Sequence, residues 1–163
     1  MALSDIDRRF LARAVQLAED ALEAGDEPFG SVLVSFAENP DGTVLFEDHN
    51  HVGGGDNTQH PEFAIARWAA AHLTEAERAA ATVYTSGEHC PMCAAAHSWV
   101  GLGRIVYASS SEQLIQWRSD LGLPQSPVAP LPIHVVAPGL EVDGPDPDLA
   151  ERVRALHQRR QAQ

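Results

Sequence analysis

The chain has 163 residues, enough for one full hydrophobic core and too few for two ordinary domains, so a single domain over 1–163 is expected. Its formal net charge is −12 and all eleven basic residues are arginine, which excludes a Schiff-base or phosphate-loop lysine and counts against a nucleic-acid partner, whose binders usually show a basic stripe. No apolar run reaches the length of a membrane span, the first ten residues lack the apolar stretch of a signal peptide, and two cysteines cannot build a disulfide scaffold, so a cytoplasmic location is expected.

Taken in order, Ser4 to Ala24 reads as an amphipathic helix. Ser4 and Asp7 resemble a capping box, and Gly25 ends the element. Ile6, Phe10, Leu11, Val15, Ala18 and Leu22 recur at three- and four-residue steps and form one apolar stripe. Phe29 to Phe36 reads as a strand, Asn39-Pro40-Asp41-Gly42 as a hairpin turn, and Thr43 to Asp48 as the returning strand. A loop from Asn50 to Gln59, with three consecutive glycines, delivers the chain to His60. Helices are expected over Pro61 to Leu73 and Pro91 to Val100, each opened by a proline at its first position, where the missing N–H costs nothing. Thr82 to Ser86 and Arg104 to Ala108 read as strands, and Ser111 to Leu121 as a further helix. The remainder, about 122–163, is a C-terminal extension: a proline-rich crossover, a short strand over Ile133 to Val136, and a last helix from Asp148 to Arg160. A hairpin followed by strand–helix alternation predicts a mixed sheet with helices on both faces.

Two short motifs carry the chemistry. His60-Pro61-Glu62 reads H-x-E, and Cys90-Pro91-Met92-Cys93 reads C-x-x-C about thirty residues later. C-x-x-C alone fits a redox pair, and two cysteines alone fit small buried hydrophobes. The accompanying H-x-E turns the reading toward metal. One imidazole and two thiolates bind zinc and leave its fourth position open, as catalysis requires. A purely structural zinc needs a fourth protein ligand, and the nearest candidate, His89, is the immediate neighbour of Cys90 and makes a poor chelate. Both motifs stand at helix N-termini, where the dipole favours thiolates.

These residues resemble the cytidine deaminase superfamily, in the branch that holds guanine deaminases, cytosine deaminases and tRNA adenosine deaminases. The resemblance runs from roughly Leu11 to Leu121 and includes Pro28-Phe29-Gly30, Asn50, both metal motifs, Trp99 and Arg104-Ile105-Val106-Tyr107. It implies a three-layer α/β/α sandwich with a mixed central sheet and a homodimer or larger assembly. It implies His60, Cys90 and Cys93 as ligands of one Zn2+ per chain, Glu62 as the catalytic proton shuttle, and Asn50 and Phe29 as substrate-binding residues. The chain departs from the family pattern at Pro61, usually alanine, at His89, usually proline, and in Ala94-Ala95-Ala96-His97, where tRNA deaminases carry Ala-Gly-Ala-Ile. His89 thereby enters the set of candidate substrate contacts, and acidic groups after the fourth strand, Glu112 and Asp120, join it by analogy with guanine deaminases. His97 reads as a hydrogen-bonded helix histidine, and His49 and His51, which flank Asn50, are assigned no role.

The expected reaction is hydrolytic deamination. Glu62 takes a proton from a zinc-activated water, delivers it to the ring and assists departure of ammonia. The acidity of the chain points to a small substrate: a nucleobase, a nucleoside or a related ring, cytosine-, guanine- or triazine-like. The alternative is a tRNA adenosine deaminase.

Overall fold

A computed structural model describes residues 2–163. Five strands form one sheet in the order β2-β1-β3-β4-β5. They are β1 (Gly30–Ser35), β2 (Thr43–His49), β3 (Thr82–Gly87), β4 (Ile105–Ser109) and β5 (Val142–Asp143). Strand β1 runs antiparallel to both β2 and β3, whereas β3, β4 and β5 run parallel. The hairpin closes as expected: Gly42 N–H donates to the Asn39 carbonyl at 2.9 Å, and Gly42 has φ 84°, a conformation glycine adopts without strain.

Strand alternation sorts the core into two faces. Val32, Val34, Tyr84, Val106 and Ala108 face α1 (Asp5–Glu23) and α7 (Pro147–Ala162). Leu33, Val83 and Ile105 face the other way, onto α2 (Pro61–His72), α4 (Pro91–Trp99) and α6 (Ile133–Val136). The expected three-layer α/β/α sandwich with a mixed sheet is what forms. Ser4 caps α1 reciprocally with Asp7, the two bonds measuring 3.0 and 3.1 Å.

Three elements differ from expectation. Ile133–Val136 is a short helix, not a strand. Pro132 supplies its N-cap, the Ile133 N–H is taken by Glu88 Oε1 at 2.9 Å, and the Val135 and Val136 N–H groups return to the Pro132 carbonyl, so these donors are not offered to a sheet edge. The edge strand is instead the two-residue β5, paired with β4. Helix α3 (Glu75–Ala80) was not anticipated, although Thr74 and Glu77 form a complete capping box before it. The fifth helix, α5 (Ser111–Asp120), follows β4 as expected and begins at a Ser110–Gln113 capping box. Among the described residues no helix is long and apolar enough to cross a membrane.

Candidate metal centre

Two helices aim their first turns at one point. His60 is the N-cap of α2 and Cys90 the N-cap of α4, each followed by a proline that pre-sets the helical φ. Cys93 lies one turn into α4 and is fully buried. His60 Nδ1 is 3.5 Å from Cys90 Sγ and 3.6 Å from Cys93 Sγ. A tetrahedral ion bonded at about 2.3 Å to sulfur and about 2.05 Å to nitrogen requires an N–S edge of about 3.6 Å. Both nitrogen–sulfur edges therefore match a zinc-like ion, and all three ligand atoms lie within 4.8 Å of one another, with borderline and soft ligand chemistry to match. Without an ion, the Cys93 thiol and His60 together hold Cys90 down at about 4 against its burial. The same hydrogen bond to Cys90, burial and the nearby Glu62 push the Cys93 thiol well up. Bonding to Cys90 raises His60 despite its burial.

Glu62 is buried beside these donors. Its Oε1 accepts from Thr85 Oγ1 at 2.8 Å and from Ser31 Oγ at 3.1 Å. Its Oε2 lies 3.9 Å from Cys93 Sγ, on the ligand side. Burial raises the Glu62 carboxyl above its ordinary value, outweighing its own backbone N–H, His60 and Thr85, all of which favour the ionised form. Ser31 and Thr85 are adjacent partners in the β1–β3 register and point to the α2 face, and Ser31 Oγ lies 2.8 Å from Thr85 Oγ1. The motifs do not reveal these two hydroxyls. The only trace of them is a polar residue at an inward position of each strand.

The other candidate residues fall around this centre in different ways. The Asn50 N–H donates to the Phe29 carbonyl at 3.0 Å, and Asn50 Oδ1 accepts from Val52 N at 3.0 Å, so a buried Asn50 is clamped by its own loop. The Phe29 ring lies against Gly87, the last residue of β3, where an added Cβ would meet it at 3.3 Å. His89 is 1% exposed and packs edge-on against His97, with ring centroids 5.3 Å apart. Neither of its ring nitrogens has a hydrogen-bond partner, and burial holds it neutral. Asp120 is exposed at the end of α5, where Gln116 Nε2 donates to it at 2.8 Å. His97 Nε2 is 2.7 Å from the Gly103 carbonyl, which can only accept, so His97 is a neutral, hydrogen-bonded helix residue.

Beside Cys90 opens a cavity of about 730 Å³. Its walls include Pro91, Leu114, Ile115 and Arg118, together with the proline-rich segment 122–130. That segment reads from sequence as a surface crossover and is in fact one side of this cavity. Glu88 fixes the opposite side: its Oε2 accepts from Ser111 N at 2.8 Å and its Oε1 from Ile133 N, joining α5 to α6.

The family description "Cytidine and deoxycytidylate deaminase zinc-binding region" matches residues 4–109. A probable cytosine deaminase of Schizosaccharomyces pombe is 32% identical over 120 residues, covering 74% of this chain and 70% of that protein. The guanine deaminase of Bacillus subtilis is 37% identical over 102 residues, 61% of this chain and 62% of the relative. Among solved structures, the guanine deaminase of Nitrosomonas europaea superposes with a TM-score of 0.74 at 21% identity, over 100% of this chain and 88% of that one.

Proposed function

Because the chain belongs to the cytidine and deoxycytidylate deaminase family, we propose that it is a zinc-dependent hydrolase that deaminates a small nucleobase, nucleoside or related heterocycle, cytosine-, guanine- or triazine-like. The observation that carries this reading is the convergence of His60, Cys90 and Cys93 at tetrahedral spacing, with a buried carboxylate alongside. When bound, zinc supplies Lewis acidity and brings the pKa of a water down to about 7.

The residues of the chain do the rest. Ser31 and Thr85 tie down one oxygen of Glu62 and so orient the other toward the ligands. A carboxyl raised by burial holds a proton more readily than an exposed one, as a proton shuttle must. Glu62 takes the proton of the attacking water, passes it to a ring nitrogen, and then assists the exocyclic nitrogen to leave as ammonia. A carbon–oxygen bond forms, the carbon–nitrogen bond breaks, and an oxo group remains. We assign the holding of the ring to Asn50 and Phe29, which meet at the mouth of β1. We assign no substrate contact to His89, which is buried against His97, or to Asp120, which is exposed beside Gln116.

A small substrate is favoured by the net charge of −12, which repels a phosphate backbone. It is favoured also by the fate of the arginines. Arg8 pairs with Asp146, Arg13 with Glu47, Arg159 with Glu19 and Arg160 with Glu27, so four arginines of the two terminal clusters are engaged with carboxylates. A tRNA needs several free cations for its phosphates. The decisive experiment measures ammonia release from free bases, nucleosides and triazines beside inosine formation in an anticodon stem-loop. Turnover of a small ring is the expected result. Inosine formation with no small-molecule turnover would overturn the substrate class.

A further inference from the structure

We propose a second, thiolate-free metal site formed by Asp26, His49 and His51, which takes a divalent first-row transition ion and braces the loop carrying Asn50. The three residues each offer one ligand atom, and these atoms lie within 4.8 Å of one another. Asp26 lies between α1 and β1, His49 ends β2, and His51 begins the loop that leads to His60. The two imidazoles lie against each other, with centroids 4.4 Å apart and their planes tilted by 33°.

Each group is oriented by a second partner. His49 Nδ1 is 2.8 Å from the Asn50 carbonyl, which only accepts, so Nδ1 carries the hydrogen and Nε2 keeps its lone pair. His51 Nε2 is 2.8 Å from Asp48 Oδ1, which leaves Nδ1 of that ring as the ligand atom. Asp26 Oδ1 accepts from Gly53 N at 2.7 Å, and its second oxygen remains available. Imidazoles that donate their other N–H to a carbonyl and a carboxylate, beside a hydrogen-bonded carboxylate, form the outer shell characteristic of metal ligands.

Charge points the same way. Asp26 is 8% exposed, and no arginine pairs with it among the described residues. A buried carboxylate met only by one backbone N–H lacks a cation. Gly53 allows its close approach, since a Cβ there would stand 2.6 Å from Asp26 Oδ1. Two imidazoles and one carboxylate suit zinc, nickel or cobalt(II) rather than magnesium or calcium. A tetrahedral site of nitrogen and oxygen ligands has edges of about 3.4 Å, inside the 4.8 Å within which these ligand atoms lie.

The consequence is mechanical. Asn50 lies between the two histidines, and the His51 N–H donates to the Gln59 carbonyl, one residue before His60. An ion here links the start of β1, the end of β2 and the loop that delivers both Asn50 and His60.

The test is a titration of metal-stripped protein with cobalt(II) and, separately, with zinc. Cobalt bound by Cys90 and Cys93 absorbs through thiolate charge transfer, and cobalt on Asp26, His49 and His51 does not. The proposal expects two equivalents in the wild type, the second adding no thiolate band. It expects His51→Ala to bind one equivalent with the thiolate band unchanged. Zinc should also slow amide exchange over residues 50–55 in the wild type beyond its effect in His51→Ala. A single equivalent in the wild type, or two in the His49→Ala/His51→Ala double variant, overturns the second site. Failure of the Cys90 site instead appears as a missing thiolate band, so the two readings fail separately.

Discussion

Two buried carboxylates, one on each face of the sheet, receive opposite treatment. Asp7 lies on the α1 face, 6% exposed, and is met on every side by donors: Arg104 Nη1 at 2.8 Å, Tyr84 Oη at 2.9 Å, and the Ser4 N–H and hydroxyl. Burial pushes its carboxyl up, but Arg104, Ser4 and Tyr84 outweigh burial and hold it at about 2. Glu62 lies on the α2 face with the same exposure, 6%, but has hydroxyl donors on one oxygen only, and its carboxyl is pushed up. A carboxylate saturated with charge-assisted donors stays ionised and stabilises the fold. One left half-satisfied next to metal ligands can move protons. The face decides the role.

The largest effect should separate those roles outright. Glu62→Gln keeps the Ser31 and Thr85 contacts but cannot carry a proton. Turnover should fall by ~10² to 10⁴ with zinc content and thermal stability preserved. Loss of zinc together with activity would make Glu62 a structural group like Asp7 and collapse the distinction.

The mirror experiment is Asp7→Asn. Removing the charge leaves Arg104 facing Asp143 at 2.7 Å and the exposed Glu141 at 3.8 Å, and should cost about 3 kcal/mol of unfolding free energy with kcat/KM unchanged. The sign with pH follows from a folded-state value held low. The stabilisation is present above the unfolded-state value near 3.8 and is lost as pH falls toward about 2. Urea unfolding at pH 7 and pH 3 should show the gap between wild type and variant closing on acidification. A gap that stays constant between those two pH values would mean that Asp7 stabilises through packing instead of charge.

Between these lies Thr85→Val, which removes one donor to Glu62 without changing side-chain volume. About tenfold in kcat should be lost, the scale of one hydrogen bond to a charged acceptor, with KM little altered. The acid limb of the pH–rate profile should move up, because the ionised form of Glu62 loses a partner. Thr85→Ser should restore both. No rescue by serine would show that Thr85 acts through packing and does not position Glu62.

The contrast between the faces also marks what the sequence can disclose. His60, Glu62, Cys90 and Cys93 are legible because local rules place them: a proline at the first helical position and a fixed spacing put donors at two helix starts. The donors to Asp7 are not legible, because Arg104 lies 97 residues away and Tyr84 77 residues away, and only the sheet order brings them together. Ser31 and Thr85 are hidden for the same reason, since β1 pairs with β3 across an intervening helix pair. Ile133–Val136 misleads because β-branched residues favour strands, whereas Pro132 and the Glu88 carboxylate start a helix. The true edge strand is too short to leave a pattern.

The smallest change that still tests the comparison is Tyr84→Phe. The Tyr84 ring is fully buried and packs on Phe10 at 5.2 Å, and phenylalanine retains that contact. What is lost is the hydroxyl, which donates to Asp7 Oδ1 and whose proton is held above the ordinary phenol value by burial and by Asp7. Arg104 Nη1 still reaches the same oxygen, so Asp7 is not orphaned. The expected cost is therefore about 1.5 kcal/mol, the lower end for a hydrogen bond to a charged group. The Asp7 carboxyl should titrate at higher pH once a donor is gone, so acid unfolding of the variant should begin earlier. Turnover should be unchanged, because Tyr84 faces α1 and the reacting centre lies on the far side of β3. A fall in kcat at preserved stability would show that the two faces communicate through β3, and that Asp7 and Glu62 are not independent.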